Sequence, residues 1–86
     1  MTITEHAQVR MEQRNLTIDA VQFALHFGRR INRGARTLWC VGWAELKSFD
    51  ADIPDDFPGI VVVTPRDQPS TVITAYQDEN WELLYI

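Results

Sequence analysis

The first 28 residues constrain the fold most, because they predict two short helices with almost no chain between them. Thr2 or Thr4 is suited to cap the start of the first helix, and Asn15 is suited to end it. Thr17 can then cap a second helix, and Gly28 can end that one. Helices separated by so few residues pack side by side, so we predict a tight helical hairpin at the start of the chain.

Both predicted helices carry an apolar face. In the first, Ile3, Ala7 and Met11 recur every four residues, which places them on one side of the helix. The second helix is apolar over most of its length, so we expect it to be largely buried. Its apolar residues are Ile18, Val21, Phe23, Ala24, Leu25 and Phe27.

After Gly28 the sequence changes from helical to strand character. We predict four strands, at residues 29–31, 36–41, 60–64 and 71–76. Turn-forming residues at 32–34 separate the first two, and a turn with two prolines at 65–69 makes the last two antiparallel neighbours. In the last strand, alternation places Val72, Thr74 and Tyr76 on one face.

Helices followed by antiparallel strands define an α+β fold, and 86 residues leave room for one domain only. We predict a helical hairpin over residues 1–28, packed on a three- to four-stranded antiparallel sheet over residues 29–76. The acidic, proline-containing stretch at 48–58 is an expected insertion, with a helical turn before it. Residues 77–86 form an apolar tail, which either packs on the sheet or meets a second subunit.

The charge of the chain is unevenly distributed. The net charge of −4 argues against a general nucleic-acid binder, yet residues 1–47 carry +3 and residues 48–86 carry −7. These halves either neutralise each other in the fold or leave one basic face on an acidic protein. Both arrangements are open at this point.

Cysteine use and hydropathy indicate the compartment. The single Cys40 allows no internal disulfide and fits a reducing environment. The N-terminus lacks the pattern of a signal peptide, and no apolar run is long enough to span a membrane. We therefore expect a cytoplasmic protein that does not bind membranes.

The residues that most often bind metals do not form a metal-binding pattern. His6, His26 and Cys40 lack metal-ligand spacing, and we predict neither a metal nor another cofactor.

The first helix also carries a polar row, here called the His/Arg ladder: His6, Arg10 and Arg14. Residues four apart stack along one helix face, and this row is about 12 Å long. The two arginines repel each other unless an anion lies between them. Neither acid of the same helix is three or four residues from an arginine. The anion must therefore come from elsewhere in the protein or from a ligand.

The ladder contains residue types that suit RNA cleavage without a metal. Such cleavage needs a base, an acid and cations that stabilise charge on the phosphate. Histidine is the side-chain type best suited to exchange protons at neutral pH, so His6 is the candidate acid or base, and arginine side chains match phosphate oxygens. Tyr76 could orient the phosphate or donate a proton, with Thr74 beside it. Four arginines cluster around a predicted turn and could follow an RNA backbone, namely Arg29, Arg30, Arg33 and Arg36.

Each of these residues has a structural alternative. His6 fits a half-buried helix histidine equally well, and the two arginines could pair with acids of the chain's own end, namely Asp78, Glu79 and Glu82. Tyr76 could be a packing residue, and the hairpin arginines could be solvated. The tryptophans either stack on bases or fill the core or an interface; they are Trp39, Trp43 and Trp81.

The order of these features resembles a family of small uncharacterised bacterial proteins. The matching residues are His6, Arg10, Arg14, Gly28, Thr71, Val72, Thr74 and Tyr76. That family is similar to the barnase, EndoU, colicin and RelE-like ribonuclease toxins. The resemblance implies an α+β fold and metal-independent RNA cleavage in a toxin setting. The catalytic residues of the larger group vary, so the resemblance implies no fixed active site. The pI of 4.9 and the acidic insertion depart from this pattern.

Two hypotheses follow from the sequence. In the first, a toxin-type ribonuclease domain uses His6 as acid or base, has RNA as substrate and has an antitoxin protein as partner. Its other site residues are Arg10, Arg14 and Tyr76 around the phosphate, and Arg33, Arg36 and Thr74 toward the RNA. In the second, a non-catalytic interaction module forms a homodimer through Trp81–Ile86. An open cationic cleft beside His6 favours the first, whereas carboxylates paired with the arginines favour the second.

Overall fold

The computed structural model describes residues 1–42 and 59–77. In chain order its elements are β1 (Thr2–Ile3), α1 (Glu5–Arg14), α2 (Ile18–Phe27), β2 (Arg29–Arg33), β3 (Arg36–Cys40), β4 (Ile60–Pro65), β5 (Thr71–Val72) and β6 (Thr74–Gln77). The predicted α+β class is confirmed, with two N-terminal helices and a four-stranded antiparallel sheet. The predicted insertion at 48–58, the helical turn before it and the tail beyond Gln77 lie outside the described residues.

Both helices begin at the threonines that the sequence indicates. The Thr4 hydroxyl accepts a hydrogen bond from the Ala7 N–H at 3.2 Å, and the Thr17 hydroxyl accepts one from the Ala20 N–H at 3.1 Å. These bonds satisfy backbone donors that have no partner inside the helix. Asn15 ends α1 in the left-handed conformation, at φ 56°. The predicted helix boundaries are therefore confirmed.

Gly28 ends α2 because two backbones approach each other closely there. Its φ of −70° is not left-handed, so the usual reason for a helix-ending glycine does not apply. A Cβ atom on Gly28 would lie 2.5 Å from the Ala24 carbonyl oxygen and 3.1 Å from the Cys40 nitrogen. The missing side chain thus lets the end of α2 pack against β3.

The burial of helix α2 differs from the prediction at its two ends. Ala20, Val21 and Ala24 of α2 are fully buried, whereas Ile18 and Phe27 are 54% and 51% exposed. These two residues are the first and last of the helix, beyond the part that rests on the sheet. The prediction that α2 is largely buried is therefore wrong at both ends.

The four-stranded sheet has the order β2-β3-β4-β6, and all its neighbours are antiparallel. Hairpin β2–β3 turns at Gly34 and Ala35, with Gly34 at φ 60°. The turn predicted at 32–34 is wrong by about two residues, because Asn32 still pairs with Thr37 in the ladder. Their side chains are joined by a hydrogen bond of 2.8 Å from Thr37 Oγ1 to Asn32 Oδ1.

Strand β4 divides the core into two sides. Ile60 and Val62 face the helices and pack with the apolar residues of α1 and α2. Val61 and Val63 face the other side and pack with Cys40. Alternation along a strand accounts for this division. The unbroken β-branched run at 60–64 is thus a strand buried on both faces, as its composition indicates.

The strand predicted at 71–76 is interrupted at Ile73. Before the interruption, β5 pairs with β1 in parallel, and the partners are Thr2 with Thr71 and Ile3 with Val72. After it, β6 pairs antiparallel with β4. Ile3 therefore belongs to a strand rather than to the first helix, although it still packs against the core.

This interruption changes which residues share a face. Val72 and Ala75 pack on the helix side of the sheet, whereas Ile73 and Tyr76 pack on the other side. The prediction that Val72 shares a face with Tyr76 is therefore wrong. The cause is visible at Thr4, whose N–H donates to the Val72 carbonyl at 3.0 Å and whose hydroxyl donates to the Ile73 carbonyl at 3.4 Å.

Candidate functional site

The His/Arg ladder occupies the exposed side of α1. His6, Arg10 and Arg14 are all exposed, while Ala7 and Met11 of the same helix are buried against the core. The predicted stacking of the three side chains over two helical turns follows from their common helix. Packing thus orients α1 through its apolar side and leaves the ladder open to solvent.

A cleft of about 280 Å³ lies between this helix and strand β6. The ladder lines one wall, and the other wall consists of Thr74, Ala75 and Tyr76. Thr74 lies opposite Val63 and Tyr76 opposite Val61, so the prediction that Thr74 and Tyr76 share a sheet face is confirmed. Five of the seven residues predicted for the site therefore lie together around one cleft.

Thr4 fixes the position of one wall relative to the other. It caps α1 through Ala7 and is also bonded to the carbonyls of Val72 and Ile73, just before β6 begins. His6 is two residues beyond Thr4, and Thr74 is one residue beyond Ile73. A short stretch of backbone on each side thus sets the distance between the imidazole and the strand.

The ladder is cationic and has no acidic partner in residues 1–42 and 59–77. No carboxylate in these ranges forms an ion pair with Arg10 or Arg14, and His6 makes no hydrogen bond within them. Asp78, Glu79 and Glu82, the acids named for the structural alternative, lie outside the described residues. In the described part of the chain, the repulsion between the two guanidinium groups is therefore unrelieved, which favours binding of an anion.

Tyr76 both packs against the core and lines the cleft. Its ring is half-buried and packs against the core of Cys40, Val61 and Val63. The same residue lines the cleft opposite the ladder. A side chain held by packing loses little conformational entropy when it meets a ligand, which suits an orienting group.

Arg33 and Arg36 do not line this cleft. They lie directly opposite each other at the exposed tip of the β2–β3 hairpin, and Arg36 also lies opposite Pro65 of β4. Strand β4 thus lies between Arg36 and β6, and both β3 and β4 lie between Arg33 and β6. The structure does not bring these two predicted RNA-binding residues to the His6 cleft.

Ala75 is the cleft residue that the sequence did not indicate. A small apolar residue carries no chemical signal of its own. The only available signal was its position between Thr74 and Tyr76. Because its side chain is fully buried on the helix side, it brings α1 close to the strand.

Three further features of the described residues bear on function. Within residues 1–42 and 59–77, no three His, Cys, Asp or Glu side chains lie close enough together to hold a metal ion. Neither α1 nor α2 is long and apolar enough to cross a membrane. Cys40 is fully buried.

Comparison with known proteins places the chain in a family. The family model described as Domain of unknown function (DUF4258) matches residues 3–77, a range that includes every residue lining the cleft. No curated protein and no solved structure matches the chain. The expectation of an uncharacterised family is confirmed, while the similarity to ribonuclease toxins stays a prediction.

Proposed function

The chain belongs to the DUF4258 family, whose description names no activity, and we propose from its cleft that it is a toxin-type ribonuclease that cleaves RNA without a metal. The observation that carries the proposal is the open cleft that His6, Arg10, Arg14 and Tyr76 line together. It combines an imidazole, two guanidinium groups that can bind phosphate and a hydroxyl. These are the components that transesterification of RNA needs.

The reaction divides among these residues as follows. The neutral imidazole of His6 takes the proton of a ribose 2′-hydroxyl, and the 2′-oxygen forms a bond to phosphorus. The bond from phosphorus to the 5′-oxygen breaks, and that oxygen receives a proton from the Tyr76 hydroxyl. Solvent then reprotonates Tyr76 and removes the proton from His6. The products are a 2′,3′-cyclic phosphate and a free 5′-hydroxyl.

The arginines stabilise the charge that develops during this step. Arg10 and Arg14 are one helical turn, or about 6 Å, apart along α1. Their guanidinium forks can donate to the two non-bridging oxygens of one phosphate. Negative charge on these oxygens grows as the new bond forms, so donors fixed in advance lower the barrier.

The acidic net charge of the protein is compatible with this site. At physiological ionic strength, charges separated by more than about 8 Å are largely screened from each other. An anion in the cleft therefore responds mainly to the ladder beside it. The net charge of −4 limits general binding along a nucleic acid but does not abolish local binding at the cleft.

Cleavage of total RNA in EDTA tests the proposal. We expect the wild type to release fragments that end in 2′,3′-cyclic phosphate. His6→Ala should cleave about 10²- to 10⁴-fold more slowly, which is the usual contribution of acid–base catalysis. Tyr76→Phe should also be slower. His26→Ala is the matched control, because His26 is an exposed histidine on α2 that does not line the cleft, and it should cleave like the wild type.

The same variants test the toxin setting and its partner. We propose that an acidic antitoxin protein covers the ladder, and that expression of the wild type alone arrests growth whereas His6→Ala does not. Equal cleavage by the wild type and His6→Ala would overturn the assignment of His6. No cleavage by the wild type, together with a stable homodimer that is lost when Trp81–Ile86 is altered, would establish the interaction module instead.

A further inference from the structure

We propose that a second cleft, on the helix side of hairpin β2–β3, binds one nucleotide of a single-stranded nucleic acid. This cleft has a volume of about 290 Å³, and its lining residues are Arg30, Asn32, Thr37, Trp39, Arg66 and Pro69. It shares no residue with the His6 cleft. The inference rests on the proposed function, which it sharpens by naming unpaired RNA as the form of the substrate.

Trp39 gives this second cleft a rigid aromatic surface. Its indole Nε1–H donates to the hydroxyl of the fully buried Thr64 at 2.9 Å, and its ring packs against the helix-side core. Arg30 lies opposite Trp39 in the sheet and places its guanidinium 5.5 Å from the centre of the ring. A planar cation held over an indole offers a surface on which a base can stack.

A polar pair lies beside this aromatic surface. Thr37 is buried, and its hydroxyl donates a hydrogen bond to Asn32 Oδ1 at 2.8 Å. This bond occupies the carbonyl oxygen of the amide, so the two N–H donors of Asn32 point away from Thr37. An amide in this orientation can donate to a phosphate or to an acceptor on a base edge.

Arg66 brings a second cation to the same cleft. It follows β4, and its backbone N–H donates to the Ala35 carbonyl at 2.8 Å, which ties this turn to the tip of the hairpin. Arg30 and Arg66 are both exposed, and neither forms an ion pair with a carboxylate in residues 1–42 and 59–77. Two guanidinium groups with no carboxylate partner among the described residues can bind the phosphate next to a stacked base.

This combination favours a single strand over a duplex. Phosphate contacts alone would serve either form, but stacking on Arg30 and Trp39 needs a base with an accessible face. In a duplex, neighbouring base pairs cover both faces of each base. RNA and DNA single strands share the required chemistry, so we expect both to compete for this cleft.

Binding of a short 2′-O-methyl RNA, measured by fluorescence anisotropy, tests the second cleft. This ligand cannot be cleaved, since its 2′-oxygen carries no proton. We expect Arg30→Ala and Arg66→Ala each to weaken binding about fivefold or more. Each should lower the slope of log Kd against log salt by about 0.7 for one lost phosphate contact. Single-stranded DNA should compete, and duplex RNA should compete poorly.

His26→Ala is the control, because His26 is an exposed side chain on α2 that lines neither cleft. It should change Kd by less than about twofold, as expected for a residue outside the contact. The indole N–H resonance of Trp39, assigned with Trp39→Phe, should shift on binding. Unchanged affinity of Arg30→Ala and Arg66→Ala, or equally tight binding of duplex RNA, would overturn the inference.

The two proposals fail separately in these experiments. If the uncleavable RNA binds in a manner that depends on Arg30 and Arg66, but the wild type cleaves nothing, the second cleft stands and the ribonuclease proposal falls. If the wild type cleaves RNA while Arg30→Ala and Arg66→Ala bind as the wild type does, the ribonuclease proposal stands and the second cleft falls.

Discussion

The two helices have similar local construction but different roles in the protein. Each has ten residues, begins at a threonine cap, and carries an acid in its first turn and a base in its last. Helix α2 packs three fully buried residues against the sheet, and its end lies close to the backbone of β3 at Gly28. Helix α1 packs through Ala7 and Met11 and exposes the His/Arg ladder along a cleft. Local sequence rules thus build both helices, and the exposed face distinguishes α1 as the helix that lines the His6 cleft.

The largest expected effect on stability comes from a substitution on the buried face of α1, compared with one on its exposed face. Met11→Ala should lower the free energy of unfolding by about 2–5 kcal/mol, because it leaves a cavity in the core. Arg14→Ala, on the exposed side, should change it by less than about 0.5 kcal/mol. Urea unfolding measures both. A loss above about 1 kcal/mol for Arg14→Ala would mean that the chain's own carboxylates pair with the ladder.

An intermediate effect is expected where α2 meets β3. Gly28→Ala should cost about 1–3 kcal/mol, because the added methyl group collides with the carbonyl oxygen of Ala24 and the backbone of Cys40. Gly34→Ala is a useful comparison, since nothing lies within 4 Å of that position and only its positive φ opposes a side chain. Thermal unfolding of the two variants compares them. A neutral Gly28→Ala would show that α2 can move away from the sheet.

The smallest expected effect compares the two caps. Thr17→Ala should cost about 1 kcal/mol through the lost cap, and Thr4→Ala should cost at least as much. Only Thr4 also bonds to the strand before β6. Thr4→Ala should therefore slow RNA cleavage, whereas Thr17→Ala should not, and Thr4→Ser should restore the rate. Equal cleavage by the two alanine variants would show that Thr4 does not set the geometry of the cleft.

The sequence predicted the features that depend on local chemistry. Threonine caps, the β-branched run at 60–64 and the stacking of His6 with the two arginines all follow from residue type and spacing. Strand β1 was missed, because two residues are too few to show a period. The interruption at Ile73 was missed as well, since it results from bonds to Thr4 that span 69 positions.

The arginines of the hairpin show how a small error in a turn changes which side chains share a face. The turn was predicted at 32–34, and the arginines around it were all candidates to follow RNA: Arg29, Arg30, Arg33 and Arg36. The observed register places Arg33 and Arg36 at the tip and pairs Arg30 with Trp39. Alternation then puts Arg30 on the helix side of the sheet, where Arg66 also arrives. The residue types were informative, but their faces depended on a register that the sequence did not resolve.

The double anchorage of Thr4 has a consequence for folding kinetics. The bond from Thr4 to Ile73 closes a loop of almost the whole chain, and long loops form late because closing them costs the most entropy. The His6 cleft should thus be assembled only after the hairpin β2–β3 and its pairing with β4 are in place. During synthesis on a ribosome, His6 and Tyr76 would remain apart until β6 had emerged, so the activity proposed for the cleft could begin only then.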